Sequence, residues 1–167
     1  MTVHQALHQP ASSGQVAYAV LLAAHVASAV VGFGAVAVSG IYGHVAARTG
    51  TGDTRSLGEL RRYFRQPGRA EWLVVPVPFF GVGALAVSND SSAAHAWVFA
   101  ALVIWAVAAA LLVRVIRPAE AELHALLRAR EPPPGTLSRA GNRINAAAAA
   151  CDVCFFAALV LMVIRPG

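Results

Sequence analysis

The sequence contains no lysine, and charged residues make up only 13% of its 167 positions. Soluble globular domains carry about 25% charged residues, so this composition lies outside their usual range. Hydrophobic residues account for 57% of the chain, and the mean hydropathy is +0.61. Together these values predict an integral membrane protein rather than a soluble domain.

Apolar residues occur in long blocks rather than at short amphipathic spacing. A helix needs about 20 apolar residues to cross the hydrocarbon core, with a working range of roughly 17 to 25. Four runs meet this requirement: Val16–Ala47, Trp72–Ser88, Ala93–Val113 and Ala146–Ile164. The sequence therefore predicts an all-α membrane protein, an up-down bundle of four transmembrane helices in one domain over residues 16–167. Residues 1–15 form a polar head, and no room remains for a second globular domain.

Arginine supplies all of the basic side chains, and its distribution predicts the orientation. Twelve arginines lie in the segments Arg48–Arg69 and Arg114–Arg143, against one, Arg165, in all other parts of the chain. Basic residues on short loops mark the cytoplasmic side. We therefore expect both termini outside and a multi-pass protein of the plasma membrane. The positive charge follows from this topology and favours anionic lipid, so we expect no nucleic-acid partner.

Cysteine is nearly absent, which limits the metal chemistry that the chain can support. The two cysteines form one C-x-x-C pair, Cys151 and Cys154, inside the last apolar run. Structural zinc needs four ligands, and no second pair exists. A thioredoxin-type pair would begin at an exposed helix end. The pattern favours two polarizable core residues, and a copper(I) or redox role would require His25 or Asp152 to complete the site.

One carboxylate, Asp152, interrupts the last apolar run at depth. A charge in hydrocarbon is costly unless it is paired, protonated or beside water, so Asp152 marks a candidate intramembrane polar site. Asn145 lies seven residues earlier on the same helical stripe, which also holds Ala148, Ala149, Phe155 and Phe156, and Cys151 and Cys154 flank Asp152. We expect this stripe to face protein, with Asp152 directed at the first helix and hydrogen-bonded to His25 or held neutral by contacts near Asn145.

His25 lies on the first run beside small residues only, because Ser28, Ala29 and Gly32 follow at helical spacing. Such a surface has two interpretations. It can be a ridge that lets a neighbouring helix approach closely, with the imidazole bonded across the interface. It can also be a flat clearing for a porphyrin or quinone ring, with His25 as a ligand.

Prolines and tryptophans add detail to the second and third runs. Pro76 and Pro78 free backbone carbonyls, so the second helix should be kinked near its cytoplasmic third, either for packing or to open a cavity. Trp105 must lie near the membrane core and needs a partner for its indole N–H. Between the first two runs, Ser56–Arg65 places apolar residues at helical spacing among arginines, which is typical of a helix in the headgroup layer.

Most of the chain resembles a four-helix integral membrane family distantly similar to copper-resistance-D-like domains and to the membrane protoporphyrinogen oxidase of haem synthesis. The first helix carries the resemblance in Leu21–Val26, followed by Gly32 and Gly34. The arginine-rich stretch running into Trp72 and Pro76 extends it, and so does the closing Leu161–Pro166. Such families are associated with b-type haem or copper, and the resemblance implies that His25 is a ligand.

Two functions follow as hypotheses. The first is a redox protein that binds b-type haem or a quinone, with His25 and His95 from the parallel first and third helices at one level near the outer leaflet. The second is a non-enzymatic metal or solute transporter, or an accessory subunit of a membrane complex or homo-oligomer, with Asp152 as its polar element. The register of the long first helix decides between them, and no residue is assigned a catalytic role.

Overall fold

The computed structural model describes residues 12–49, 53–65, 70–88, 96–129 and 133–164, and every regular element in these ranges is helical. In chain order they are α1 Ser13–Arg48, α2 Thr54–Tyr63, a 3₁₀ helix Ala70–Val74, α3 Val77–Val87, α4 Ala96–Leu111, a π-helical turn Leu112–Ile116, α5 Arg117–Arg128 and α6 Thr136–Ile164.

Four helical stretches are long and apolar enough to cross a membrane, as the four apolar runs predicted. They are Ser13–Arg48, Ala70–Val87, Ala96–Arg128 and Thr136–Ile164. The first begins before the apolar run because Ser12 and Gln15 form a reciprocal capping box. The third continues past Arg114 and Arg117, beyond the end of its apolar run at Val113. The last begins at Thr136, since the polar segment ahead of Ala146 is also helical.

The second spanning stretch is broken, as its prolines predicted. A 3₁₀ helix ends at Val74, a turn follows at Val75 and Pro76, and α3 then begins. The helical partner of the Val74 carbonyl would be the N–H of Pro78, which does not exist. The indole Nε1 of Trp105 donates to that carbonyl instead, at 2.7 Å. The same contact confirms the prediction that Trp105 finds a hydrogen-bond acceptor near the core.

The third stretch changes pitch where Pro118 interrupts its hydrogen bonding. Pro118 offers no N–H to the carbonyl of Arg114, and the N–H of Arg117 bonds to the carbonyl of Leu112 across a π-helical turn. A π turn inserts one extra residue and rotates the following helix by about 100°. This rotation directs Ala119, Glu120 and Leu123 into the protein.

The most extensive helix contact in the bundle joins α1 to the antiparallel α6. A Cβ on Gly43 would lie 2.9 Å from the carbonyl oxygen of Gly141, and one on Gly40 would lie 2.7 Å from the Cβ of Ala148. Further along, the rings of Phe33 and Phe155 pack with centroids 5.0 Å apart. Small residues therefore let the two backbones meet, which is how membrane helices gain contact without a hydrophobic driving force.

The buried apolar residues form two cores, one around Phe33, Val36 and Cys151 and the other at the arginine-rich end of the bundle. Here the amphipathic helix α2 packs against α1 and α5 and is not simply laid on the headgroups, because Leu60 is fully buried. Arg61 Nε donates to the carbonyl of Leu127 at 3.0 Å, which ties α2 to the end of α5. The buried members of this core are Ala46, Leu60, Phe64, Ala119, Leu123, Leu127, Leu137, Ala140 and Ile144.

Candidate functional site

An apolar cavity of about 270 Å³ lies among α1, α3, α4 and α6. It occupies the space between the second and third spans, which pack on α1 and α6 more than on each other. Valine, leucine, alanine and aromatic side chains form nearly all of its wall. His25 and Tyr18 contribute polar groups from α1, and Trp97, Trp105 and Cys154 also line it.

His25 is held in the cavity wall by the backbone of α3. Its Nδ1 lies 2.8 Å from the carbonyl oxygen of Val77. A carbonyl can only accept, so Nδ1 carries the hydrogen, and the tautomer with this hydrogen has its lone pair on Nε2. Gly81 makes room for the ring, since a Cβ there would lie 2.9 Å from two imidazole atoms. The site thus offers one oriented acceptor in an apolar space.

The small-residue surface beside His25 contacts a neighbouring helix at one position and lines the cavity at another. Ala29 lines the cavity, so this part of the surface is a clearing. Gly32 instead receives the second span, because a Cβ there would lie 2.6 Å from the backbone nitrogen of Val74. Ser28 donates to the carbonyl of Ala24 at 2.7 Å and so satisfies itself within its own helix.

The other predicted ligand, His95, lies outside the described residues. Among the residues that the structure does describe, no group of three or more His, Cys, Asp or Glu side chains could hold a metal ion.

The predicted hydrogen bond between Asp152 and His25 is not formed. Phe33 meets Phe155, and His25 and Asp152 lie in opposite directions from this contact, roughly 16 Å apart along the bundle axis at 1.5 Å per residue. His25 bonds to Val77 instead. Asp152 is partly exposed at the edge of α6 and does not line the cavity. It makes no hydrogen bond or ion pair with a residue in the described ranges.

The stripe that was expected to face protein does so only in part. Ala148 is buried and Phe155 packs on Phe33, whereas Asn145 is only partly buried and Phe156 is 62% exposed. The buried face of α6 runs through Ile144, Ala148 and Cys151. This face is buried because Gly40 and Gly43 of α1 pack against Ala148 and Ile144. Asn145 and Asp152 are beside it and only partly buried.

The cysteines behave as core residues. Cys151 is buried, and its Sγ lies 3.6 Å from the carbonyl oxygen of Ala108 on α4. Cys154 is partly buried in the cavity wall, and both thiols are free. This matches the interpretation of the pair as packing residues between α6 and α4.

A buried polar cluster, which the sequence analysis did not find, joins three spans. Ser39 Oγ on α1 lies 2.7 Å from Oε1 of Glu71 and 2.6 Å from Oε1 of Glu120. Ser39 is completely buried, Glu71 is 1% exposed and Glu120 is 4% exposed. Tyr63 OH on α2 lies 3.1 Å from the same serine oxygen. We call these four residues the Ser39 cluster.

Arg117 provides the positive charge of this region. Its Nη1 lies 3.7 Å from Oε2 of Glu71 and 3.5 Å from Oε2 of Glu120. The guanidinium carbon also lies 5.5 Å from the ring centre of Trp72, in cation–π geometry. Oε2 of Glu71 is buried and accepts no hydrogen bond from the described residues. Arg117 therefore donates a hydrogen bond to Glu120 and balances the charge of Glu71 at slightly longer range.

Tyr63 connects the Ser39 cluster to the arginine-rich face. Burial raises the pKa of its phenol, and the nearby carboxyl groups act in the same direction, while the Ser39 hydrogen bond opposes them. Its ring stacks on Tyr42 with centroids 3.9 Å apart. Tyr63 therefore stays protonated and can donate its hydrogen to Ser39.

The sequence did contain weak signals for this cluster. Glu71 precedes the second apolar run and suggests an interfacial residue, and Glu120 follows Arg117 at i,i+3, as in an exposed helical ion pair. A serine inside a 32-residue apolar run is common in membrane helices. Only the 3₁₀ break at Glu71 and the π turn before Glu120 aim both carboxyl groups at Ser39.

Comparison with known proteins gives a family but no function. No curated protein and no solved structure matches the chain. The family model described as "Predicted integral membrane protein (DUF2269)" matches residues 19–166. The description names no ligand, and the comparisons show no likeness to copper-resistance-D-like domains or to the protoporphyrinogen oxidase. The match covers most of the chain and includes residues of all four spans, and the chain therefore belongs to the DUF2269 family of integral membrane proteins.

Proposed function

We propose that this membrane protein binds a lipid-soluble ring compound of the quinone and quinol class in the cavity beside His25. The observation that carries the proposal is the single oriented acceptor, Nε2 of His25, in a wall that is otherwise almost entirely apolar. Ligand sites of this kind combine an apolar lining with a few placed polar groups.

The position of the cavity supports a ligand that arrives through the bilayer. The second and third spans flank the cavity and have few direct contacts, so a ring can enter between them from the hydrocarbon. A quinol hydroxyl would donate to Nε2 of His25, and the Tyr18 hydroxyl would meet the distal oxygen. The ring itself would lie against Ala29 and the tryptophans.

Tryptophan fluorescence offers a direct test, because quinones quench nearby indoles. The chain has three tryptophans, and Trp97 and Trp105 line the cavity, whereas Trp72 lies beside Arg117. A Trp72→Phe background therefore reports on the cavity alone. Titration of this variant in detergent micelles with a short-chain quinone should give saturable quenching.

The His25→Ala variant should raise the dissociation constant about tenfold, since one lost hydrogen bond is worth about 1.4 kcal/mol. His44→Ala is the matched control, because His44 lies on the same helix and is exposed. Quenching that never saturates, or an equal effect of both variants, would refute the proposal.

A b-type haem is a second candidate, and the tautomer of His25 favours it. Histidines that ligate a metal commonly donate their other ring N–H to a carbonyl, which is the arrangement found at Val77. The lining residues include no arginine to pair with haem propionates, so the quinone class fits better. A Soret band after expression with haem precursor, lost in His25→Ala, would reverse this ranking.

The transporter or accessory-subunit hypothesis took Asp152 as its polar element. Asp152 is partly exposed, lies outside the cavity lining and does not pair with His25, so the proton-coupled form of that hypothesis has no support here.

We infer further that both termini face the outside of the plasma membrane. Support comes from the twelve-to-one distribution of arginine. Ser91→Cys and Thr51→Cys in a background without Cys151 and Cys154 would test it in spheroplasts. An impermeant thiol reagent should modify residue 91 and not residue 51, and the opposite pattern would invert the topology.

A further inference from the structure

We propose that Glu71 and Glu120 form a binding site for a single proton, which reaches them from the arginine-rich face through Tyr63 and Ser39. This site lies apart from the His25 cavity and does not depend on what the cavity binds.

The hydrogen-bonding capacity of Ser39 determines how many protons the two carboxyl groups of Glu71 and Glu120 hold. A serine hydroxyl has one hydrogen to donate and two lone pairs that accept. Ser39 Oγ makes three contacts, with Glu71, Glu120 and Tyr63. If it donates to one carboxylate, the other two contacts need hydrogens from the partners. The phenol of Tyr63 supplies one, and a protonated carboxyl group supplies the other.

The charge balance leads to the same number. Two ionised carboxylates beside Arg117 would leave a net negative charge in a buried site, and two protonated ones would leave a net positive charge. One proton makes the group of Glu71, Glu120 and Arg117 neutral, and a neutral group is the least costly to bury. Arg117 approaches Oε2 of both glutamates about equally, at 3.7 and 3.5 Å, so either can hold the negative charge.

The surroundings isolate this proton from bulk water on most sides. Ser39 falls between Val36 of one apolar core and Ala46 of the other along α1, and Glu120 falls between Ile116 and Leu123. At this level α6 presents the apolar Ile144 and Ala147. Among the residues that the structure describes, the titratable or charged groups that face the pair are Tyr63 from α2, with Tyr42 from α1 stacked on it, and Arg117 from α5.

Tyr63 provides the way in. A polar depression on the arginine-rich face is lined by Tyr42, Glu59, Arg62, Tyr63 and Arg65. Tyr63 therefore lines this depression and also contacts Ser39 through its hydroxyl. A proton can pass along the chain of hydroxyls from the depression to either carboxyl group.

The shared proton also links two spans that hardly touch elsewhere. Glu71 belongs to the second span and Glu120 to the third. Loss of the proton would set two carboxylates against one arginine and one hydroxyl, and like charges at this distance repel. Protonation therefore holds together the two spans that flank the cavity.

Infrared spectroscopy tests the proposal, because a protonated carboxyl group absorbs apart from a carboxylate. The sample is the full chain in a detergent without ester groups, in an Asp152→Asn background, since a lone carboxyl in hydrocarbon can also hold a proton. At neutral pH we expect one carboxylic acid band. Glu71→Gln and Glu120→Gln should each abolish it, because the amide donates to Ser39 and leaves the other carboxyl ionised against Arg117.

Glu122→Gln is the control, since Glu122 is exposed and pairs with Arg143 at 3.2 Å. It should leave the band unchanged. The absence of a band in the parent protein, or a band that survives in both Glu71→Gln and Glu120→Gln, would overturn the shared proton. Each Gln variant should keep the far-UV circular dichroism of the parent, so that loss of the band is not loss of fold.

The route is tested by exchange into D₂O, which shifts the same band. Tyr63→Phe should keep the band and slow its shift at least tenfold. A shift at the parental rate would overturn the route through Tyr63.

Discussion

The ring of Phe33 packs on the ring of Phe155 with centroids 5.0 Å apart, and this contact sets the register between the first and last spans. Eight residues separate Phe33 from His25, and three separate Phe155 from Asp152 in the opposite direction along the bundle. The register therefore places His25 in the cavity and leaves Asp152 at a different depth. It decides which of the two polar residues belongs to the candidate site.

Asp152→Leu should be tolerated and should raise stability. The carboxyl group has no partner among the described residues, and an aspartate at the centre of a membrane helix costs about 2.5 to 3.5 kcal/mol on insertion scales. We expect a gain of about 1 to 3 kcal/mol, because the residue is only partly exposed to lipid. Thermal unfolding in detergent measures it, with Asp152→Asn as the polar comparison. Strong destabilisation by Leu but not by Asn would show that the carboxyl has a polar partner.

Gly43→Ala should destabilise the bundle. Its Cβ would lie 2.9 Å from the carbonyl oxygen of Gly141, and a backbone atom cannot move aside cheaply. Overpacking of this kind costs about 1 to 3 kcal/mol. The control is Gly34→Ala on the same helix, where a Cβ meets nothing within 4 Å. Alanine there should be neutral or stabilising by up to about 1 kcal/mol. Equal unfolding midpoints for the two variants would contradict the α1–α6 crossing.

Tyr63 should titrate above the ordinary pKa of tyrosine. Burial is the main cause that raises the pKa of this phenol. A raised pKa in the folded state stabilises the protein fully below the unfolded pKa, and this stabilisation is lost as the pH rises through the folded pKa. Phenolate absorbance during alkaline titration should contain a late step that Tyr63→Phe removes. Tyr18→Phe should leave that step in place, and its loss there would reassign the titrating group.

The number and extent of the spans could be read from the sequence, because they depend on local composition. A run of apolar residues crosses a bilayer whatever its neighbours do, and proline breaks hydrogen bonding wherever it occurs. The kink at Pro76 and the need of Trp105 for an acceptor were predictable for this reason.

The sites were only partly predictable. His25 stood out as an imidazole in an apolar run, and it lines the cavity. Asp152 stood out more strongly, yet it is only partly buried and does not line the cavity. The buried carboxyl groups are those of Glu71 and Glu120. In the sequence, Glu71 resembles a residue at the membrane interface and Glu120 resembles one on an exposed helix surface. A charged residue inside an apolar run therefore did not identify the buried polar site, because burial depends on the rotation of each helix about its axis.

By itself, the sequence determined that this is a membrane protein of four spanning helices and which backbone groups its prolines leave unsatisfied. The tertiary structure alone decided which polar side chains meet. Helix register and rotation depend on close contacts such as those at Gly43, Gly141 and Phe33, and on a single-residue shift at the π turn before Glu120. These are interactions between distant parts of the chain, and a shift of one residue moves a side chain by about 100° around its helix.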